Sequence, residues 1–468
     1  MSKIIPFVSF VFASVIVAFG LGVFITEFKL PPYRDIAAGA KTLRYAIKGF
    51  DAPPYRGQFL AVDPAHSPDE AAAARFTGER AARFPGNILM IGGLNEYLEV
   101  CPGDGCIAVE TDRDGNIVHG YPYRPDAIFA ADSTGGSFYR EGQPADPRQI
   151  KRPIGMQQLP GGDLIVSFQT TGPMFPYTGG IARIDRDGNP IWYRFDYSHH
   201  WVTVTEDGRV LVPDLTLAEG DWDVPVGPRG RVIDAFCETG RPMVDGIQEL
   251  DLDGNVVATY DIVGALEKSP WVSIMVRPFN ACDPLHINYV DVLDSTAPGG
   301  DLAPGNMVIS SRNLSAIFVY SPEEDRITRV IKGTFQQQHS VHHLEGGKAL
   351  LFDNWGGSGA GNGSRLLEVD LAGGPERQVF PNPNEPAQPM LFSDRAGHLD
   401  ISPDRNRALV SFTEAGIGVE VDLTTRSELM RYQSLHDLRD LDIASDAQKA
   451  NAVRSKLFGM YYVGVPEL

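Results

Sequence analysis

The chain has 468 residues, with 41 Lys and Arg against 60 Asp and Glu and a formal net charge of −19. No lysine- or arginine-rich block interrupts that balance, which makes nucleic acid a poor candidate partner. The same acidic field repels small anions, so a site for one must be built locally from cationic side chains.

In chain order, the run from Ile4 to Phe28 is apolar for about the 20 residues that crossing a bilayer requires. It leaves through Thr26, Glu27, Phe28 and Lys29 without a small-residue cleavage site, so residues 1–29 read as an uncleaved signal anchor, with a cleaved signal as the alternative. Lys3 and the α-amino group favour a cytoplasmic N-terminus. The expected protein is a single-pass component of the inner membrane whose main domain faces the periplasm. Residues 30–84, rich in Ala, Pro and Arg, read as a stalk with a helix near Glu70 to Phe84.

Residues 85–433 carry a repeat. Apolar, β-branched runs start at Asn87, Gly162, Gly208, Gly305, Gly347 and Asn406, and each is followed by a second hairpin. The first three of those hairpins place Asp-Gly between two β runs, the strongest short hairpin signal. Six units of two hairpins predict an all-β, six-bladed β-propeller. The DxDGN triplets in these turns resemble the start of a calcium loop but lack the later glutamate, so calcium is set aside. Residues 434–468 are expected to form a C-terminal helix, Ser434 to Phe458, and a tail that could supply one more strand.

His200, His339 and His398 each precede a glycine or asparagine by eight residues and then an apolar strand, and His286 opens a fourth copy with a longer loop that ends in Arg312. If these begin the innermost strands of successive blades, they form a ring around one axis, a cationic socket for a tetrahedral anion. Antiparallel pairing makes His286 and Arg312 neighbours. Counting from the turn places Arg312 level with Asn354, and strict alternation puts Asn288 on the face of His286 while turning His342 away from the axis. Arginine offers a planar fork of donors suited to an oxyanion. An unprotonated imidazole is a competent nucleophile, and a second imidazole can protonate a leaving oxygen. On this reading His339, His286, Arg312 and His200 are catalytic, and Asn288, His398 and Asn354 contact substrate.

Cys101 and Cys106 bracket PGDG, a turn that suits a small bridged loop, whereas Cys237 and Cys282 lie in loops; four cysteines allow three pairings, which stay open. No cysteine pair has the spacing of a zinc site.

The segments DPLHINYVDVL, GNMVISSRNLSAIFV and KGTFQQQHSVHHLEGGKALLFDN, with SRLLEVD after them, resemble the bacterial arylsulfate sulfotransferases and the wider arylsulfotransferase-like proteins. That resemblance implies an exported six-bladed propeller that moves a sulfuryl group from an aryl sulfate donor to a phenolic acceptor without a nucleotide sulfate donor and without a cofactor. It implies that His339 is transiently sulfated, that His286, Arg312 and His200 bind sulfate oxygens and assist proton transfer, and that Asn288 supports them. His199 competes with His200 for its role, and Ser340 stands where some relatives carry an acidic residue. Two other readings use the same pocket: a non-catalytic anion sensor or scaffold, and a metal-binding or redox propeller.

Overall fold

A computed structural model describes residues 4–27, 59–78, 86–92, 100–132, 151–170, 177–218, 222–224, 231–233, 242–276, 278–356, 363–385, 391–440 and 444–464. Cys237 and most of the expected stalk lie outside the described residues.

Antiparallel strands dominate and helices are few. Six sheets of four or five strands follow one another along the chain. In the second to the sixth, the first strand of the unit is paired on one side only, and later strands are added outward by hairpins. These edge strands are Lys151–Gln158, Thr203–Val204, Ile287–Val292, His339–Leu344 and His398–Ile401. The first sheet differs, because its edge strand is Leu457–Val463 from the C-terminal end, laid antiparallel beside Asn87–Gly92.

Buried apolar residues join each sheet to the next. Tyr121 and Phe168 belong to one cluster between the first two sheets, Ile165 and Val212 to the next, then Leu211 with Ile309, Val319 with Leu351, and Phe352 with Val410. The last cluster returns to the start, where Leu409 and Tyr432 of the sixth sheet pack on Ile88 and Met90 of the first. Both faces of most strands are therefore covered, as their near-continuous apolar runs require.

The DxDGN turns are spent on backbone geometry. Asp112 accepts hydrogen bonds from the amides of Asp114 and Asn116 and from the Asn116 side chain, and Asp185 and Asp251 repeat the pattern with Asn189 and Asn255. Gly115, Gly188 and Gly254 follow with φ of +87°, +76° and +82°, conformations open to glycine at little cost.

Two helical expectations are corrected. Between Glu70 and Phe84 only Ala71–Ala74 is α-helical among the described residues, and Phe76–Gly78 adds a fifth strand to the last sheet beside Glu428–Gln433. The C-terminal stretch holds a single helical turn, Asp446–Ala450, capped by Ser445, between the short strands Leu435–His436 and Ala452–Ser455. Those strands pair with each other and with Phe59–Asp63. The N-terminal segment is a 24-residue helix, Ile4–Glu27, whose side chains are described from Phe12 to Phe24 and are exposed. Among the described residues no helix is long and apolar enough to cross a membrane.

Candidate active site

A cavity of about 300 Å³ opens where the edge strands of the sheets begin, lined by His200, His286, His339 and Arg312 among others. Backbone irregularity brings them there. His200 and His286 have φ of 58° and 51°, and Gln337 and Ser340, flanking His339, have 52° and 51°. Left-handed backbone at a non-glycine residue costs energy that the surrounding fold must sustain; two of these residues line the cavity and two flank His339. Bulges lie in the same places, between Ile287 and Tyr289 and between His339 and Val341. A bulge adds a residue to one strand and re-aims the side chains beyond it.

His339 is buried, and its Nδ1 lies 2.7 Å from Asn354 Oδ1. The Asn354 amide nitrogen donates to the carbonyls of Ser393 at 2.8 Å and Ala396 at 2.6 Å, so the oxygen must face the ring and Nδ1 must carry the hydrogen. The remaining lone pair of a neutral His339 is then on Nε2. Burial first, then the Arg312 charge, holds the ring well below the usual histidine range, so it stays unprotonated at neutral pH.

His200 and His199 approach Nδ1 to Nδ1 at 2.6 Å, which requires one of the two nitrogens to accept. Burial pushes His199 down to about 3, and burial with the neighbouring charges of His199, His286, His339 and Arg312 pushes His200 down as well. His286 sits with its ring centroid 4.9 Å from that of His200. The backbone amide of Arg312 donates to the His286 carbonyl at 3.1 Å, the neighbourhood expected from antiparallel pairing. The Arg312 guanidinium donates to Asn313 Oδ1 at 2.9 Å and Gln337 Oε1 at 2.8 Å and lies 5.8 Å from the Phe279 ring.

Three predicted contacts stand elsewhere. Asn288 is fully buried and donates to the Gln338 carbonyl at 2.9 Å, because the bulge after Ile287 hands the axial position to Tyr289. Asn354 lies behind His339 instead of facing the cavity. His398 is screened by Trp201, on which its ring stacks at 5.7 Å, and it packs against Tyr461 at 4.7 Å. His342, expected to point outward, turns inward after the second bulge, with its ring 6.0 Å from that of His398.

Sequence reasoning missed Asp283, Tyr177, Gln337 and Phe279. Asp283 left one signal, an acid three residues before His286, whereas Tyr177 comes from the bend just ahead of the strand Thr178–Ile184, far away in sequence, and left none. Cys101 and Cys106 form a disulfide, and Cys282 is disulfide-bonded as well. Among the described residues no group of three or more His, Cys, Asp or Glu is arranged to hold a metal ion.

Comparison with known proteins adds the family. No curated protein matches the chain. Solved structures similar to it include a protein of unknown function from Bacteroides caccae, at 12% identity over 82% of this chain and 100% of that one, TM-score 0.45. The virginiamycin B lyase from Staphylococcus aureus is similar at 12% identity over 65% and 94%, TM-score 0.33. Hydrazine synthase of Kuenenia stuttgartiensis is similar at 11% over 68% and 71%, TM-score 0.35. At such scores none of them bears on the argument. The arylsulfotransferase (ASST) family profile, by contrast, matches residues 155–433, more than half of the chain and the whole span that supplies His200, His286, Arg312 and His339, and the chain belongs to that family.

Proposed function

We propose that this protein moves a sulfuryl group from an aryl sulfate to a phenolic hydroxyl through a sulfohistidine on His339. The observation that carries the reading is the convergence of one neutral, tautomer-fixed imidazole with two further histidines and a guanidinium on a single cavity. Nε2 of His339 attacks sulfur, the sulfur–oxygen bond to the phenol breaks, and its electron pair leaves on the phenolic oxygen. The sulfuryl oxygens are held by Arg312 and His200 through a loose, in-line transition state of the phosphoryl-transfer kind. An acceptor phenol then takes the group from nitrogen and restores His339. No cofactor enters this scheme.

The six sheets, each sharing an apolar cluster with the next and the last with the first, support reading the domain as a six-bladed propeller with the cavity at one mouth of its axis. The apolar run from Ile4 to Phe28 in the sequence, about the 20 residues that crossing a bilayer requires, is the support for a tether. We therefore also propose that Ile4–Glu27 tethers the domain to the inner membrane with the cavity on the periplasmic side.

The test is mass spectrometry of protein quenched after exposure to 4-nitrophenyl sulfate without acceptor. A gain of one SO₃ on the peptide carrying His339, discharged by added phenol and absent in His339→Ala, is the expected result. Tight binding of the sulfate with neither mass gain nor nitrophenol release would replace this reading with an anion sensor.

A further inference from the structure

A sulfuryl transfer that starts from an unactivated phenol ester needs a proton for the departing oxygen, and four imidazoles stand near enough to be considered. Three of them, His199, His200 and His339, are held neutral first by burial and then by neighbouring positive charge. The fourth is built differently. His286 Nδ1 lies 2.5 Å from Asp283 Oδ2, and the hydroxyl of Tyr177 lies 2.7 Å from the same carboxylate oxygen and 2.8 Å from the same ring nitrogen. All three residues are largely buried, and Asp283 and His286 line the cavity.

We propose that Asp283 and Tyr177 are positioning residues that make His286 the proton shuttle of the transfer, a role that rests on the sulfotransferase reading above. Asp283 accepts Nδ1–H, which fixes the ring and leaves Nε2 for the cavity. In the first half-reaction Nε2–H passes its proton to the phenolic oxygen as the sulfur–oxygen bond breaks. In the second, the same nitrogen, now unprotonated, takes the proton of the acceptor hydroxyl while that oxygen attacks sulfur and the bond to His339 breaks. The proton count closes over one cycle, and neither half needs a co-reactant.

The surroundings favour a charge on Asp283. Burial acts to raise its carboxyl, but His286, then the Tyr177 hydroxyl and His199, outweigh it and hold Asp283 below the usual carboxylate range. Asp245, next to it and accepting from the amide of Ile287 at 3.0 Å, is pushed the other way by burial and by Asp283 itself. The negative charge of the pair therefore rests on Asp283, beside His286. Tyr177 stays protonated, since burial and Asp283 both raise its hydroxyl, so it serves as a donor to the carboxylate. Arg312 and the rings of His199, His200 and His339 complete the set of groups facing His286. Asn313 ties the assembly to the sulfate site: its side chain donates to the Asp283 carbonyl at 2.5 Å and accepts from Arg312. Such a dyad is worth roughly 10²- to 10⁴-fold to a reaction in which proton transfer accompanies bond cleavage.

The experiment compares the full-length protein with Asp283→Asn and Tyr177→Phe on aryl sulfates whose leaving phenols range from nitrophenol to unsubstituted phenol. The expected loss in kcat for Asp283→Asn is below about tenfold for the nitrophenyl ester and rises to about a thousandfold for the phenyl ester. Tyr177→Phe should show the same trend with smaller losses. A downfield imidazole proton from the Nδ1–H bond should be present in the NMR spectrum of the unmodified protein and absent in Asp283→Asn. Equal losses across all esters, no loss, or no such signal in the unmodified protein would overturn the proposal. If the unmodified protein shows the downfield proton yet releases no phenol from any ester, the sulfotransferase reading fails and the shuttle role fails with it.

Discussion

Asn354 holds His339 from behind, with its amide oxygen 2.7 Å from Nδ1 and its amide nitrogen committed to two carbonyls, so the side chain cannot flip. Asn354→Asp keeps the shape and changes the charge. A carboxylate there favours the protonated ring, which has no lone pair at Nε2. Activity at pH 7 should fall about a hundredfold or more and recover as pH rises through the elevated histidine value. The unmodified protein, whose His339 is already held low, should show no such recovery. A pH–rate profile of both proteins checks this, and a uniform loss at every pH would mean that Asn354 serves packing alone.

Arg312 is prepared for an oxyanion, with two nitrogens already directed by Asn313 and Gln337. Arg312→Lys keeps the charge but not the fork or the flat face over Phe279. The expected loss in kcat/KM is about 10²- to 10³-fold, comparable to removing one oxyanion donor elsewhere, and it should fall mainly on kcat because the charge spreads over the equatorial oxygens in the transition state.

Buried titratable groups set the pH range of stability. His199 and His342 titrate at about 3 in the fold, burial being the first cause. Between 3 and the unfolded value of about 6.5 the unfolded chain binds more protons, so these rings make stability rise with pH in that window. Asp214 and Asp400 are raised to about 7, again first by burial. Between about 4 and 7 the folded state binds more protons there, and stability falls with pH. For these four groups taken alone, the opposed slopes offset one another between about pH 4 and 6.5. His199→Gln should gain on the unmodified protein by about 1.4 kcal/mol per pH unit as pH falls below 6.5, and Asp400→Asn should gain by a similar slope as pH rises from 4 to 7. Urea unfolding at four pH values measures both.

Much of this was legible before the structure. The eight-residue spacing from His200, His339 and His398 to a turn residue marks the same place in three sheets, although their edge strands differ in length, and the pairing of His286 with Arg312 follows from a hairpin. What strict alternation could not see were the bulges at Ile287/Tyr289 and His339/Val341, which exchange Asn288 for Tyr289 and bring His342 inward. Nothing in the local pattern marks a left-handed residue that is not glycine, so the backbone turn at Ser340 and His286 left no trace in the sequence. The apolar spacing from Ser434 to Phe458 suggested a helix because Leu435, Leu438, Ala452 and Val453 are buried, but short strands packed from both sides leave the same trace. Tyr177 had no signal at all, since its partner Asp283 is 106 residues away.

The depth of His398 separates the spacing argument from the geometry. By spacing alone it equals His200 and His339, and its substitution should cost as much. In the fold, Trp201 is wholly buried, stands edge-on to His339 at 5.7 Å and lies stacked on His398 at 24°, so His398 supports the floor beneath the cavity. Its ring is held well below the usual range by burial and then by His342, and a neutral amide of similar reach should replace it. His398→Asn is expected to lower kcat less than about tenfold while costing about 1–3 kcal/mol of stability through lost packing. His200→Asn, at the cavity wall, is expected to lower kcat about a hundredfold or more with a smaller change in the unfolding midpoint. Equal kinetic losses at the two positions would put His398 in direct contact with the reacting group and require the floor to open during turnover.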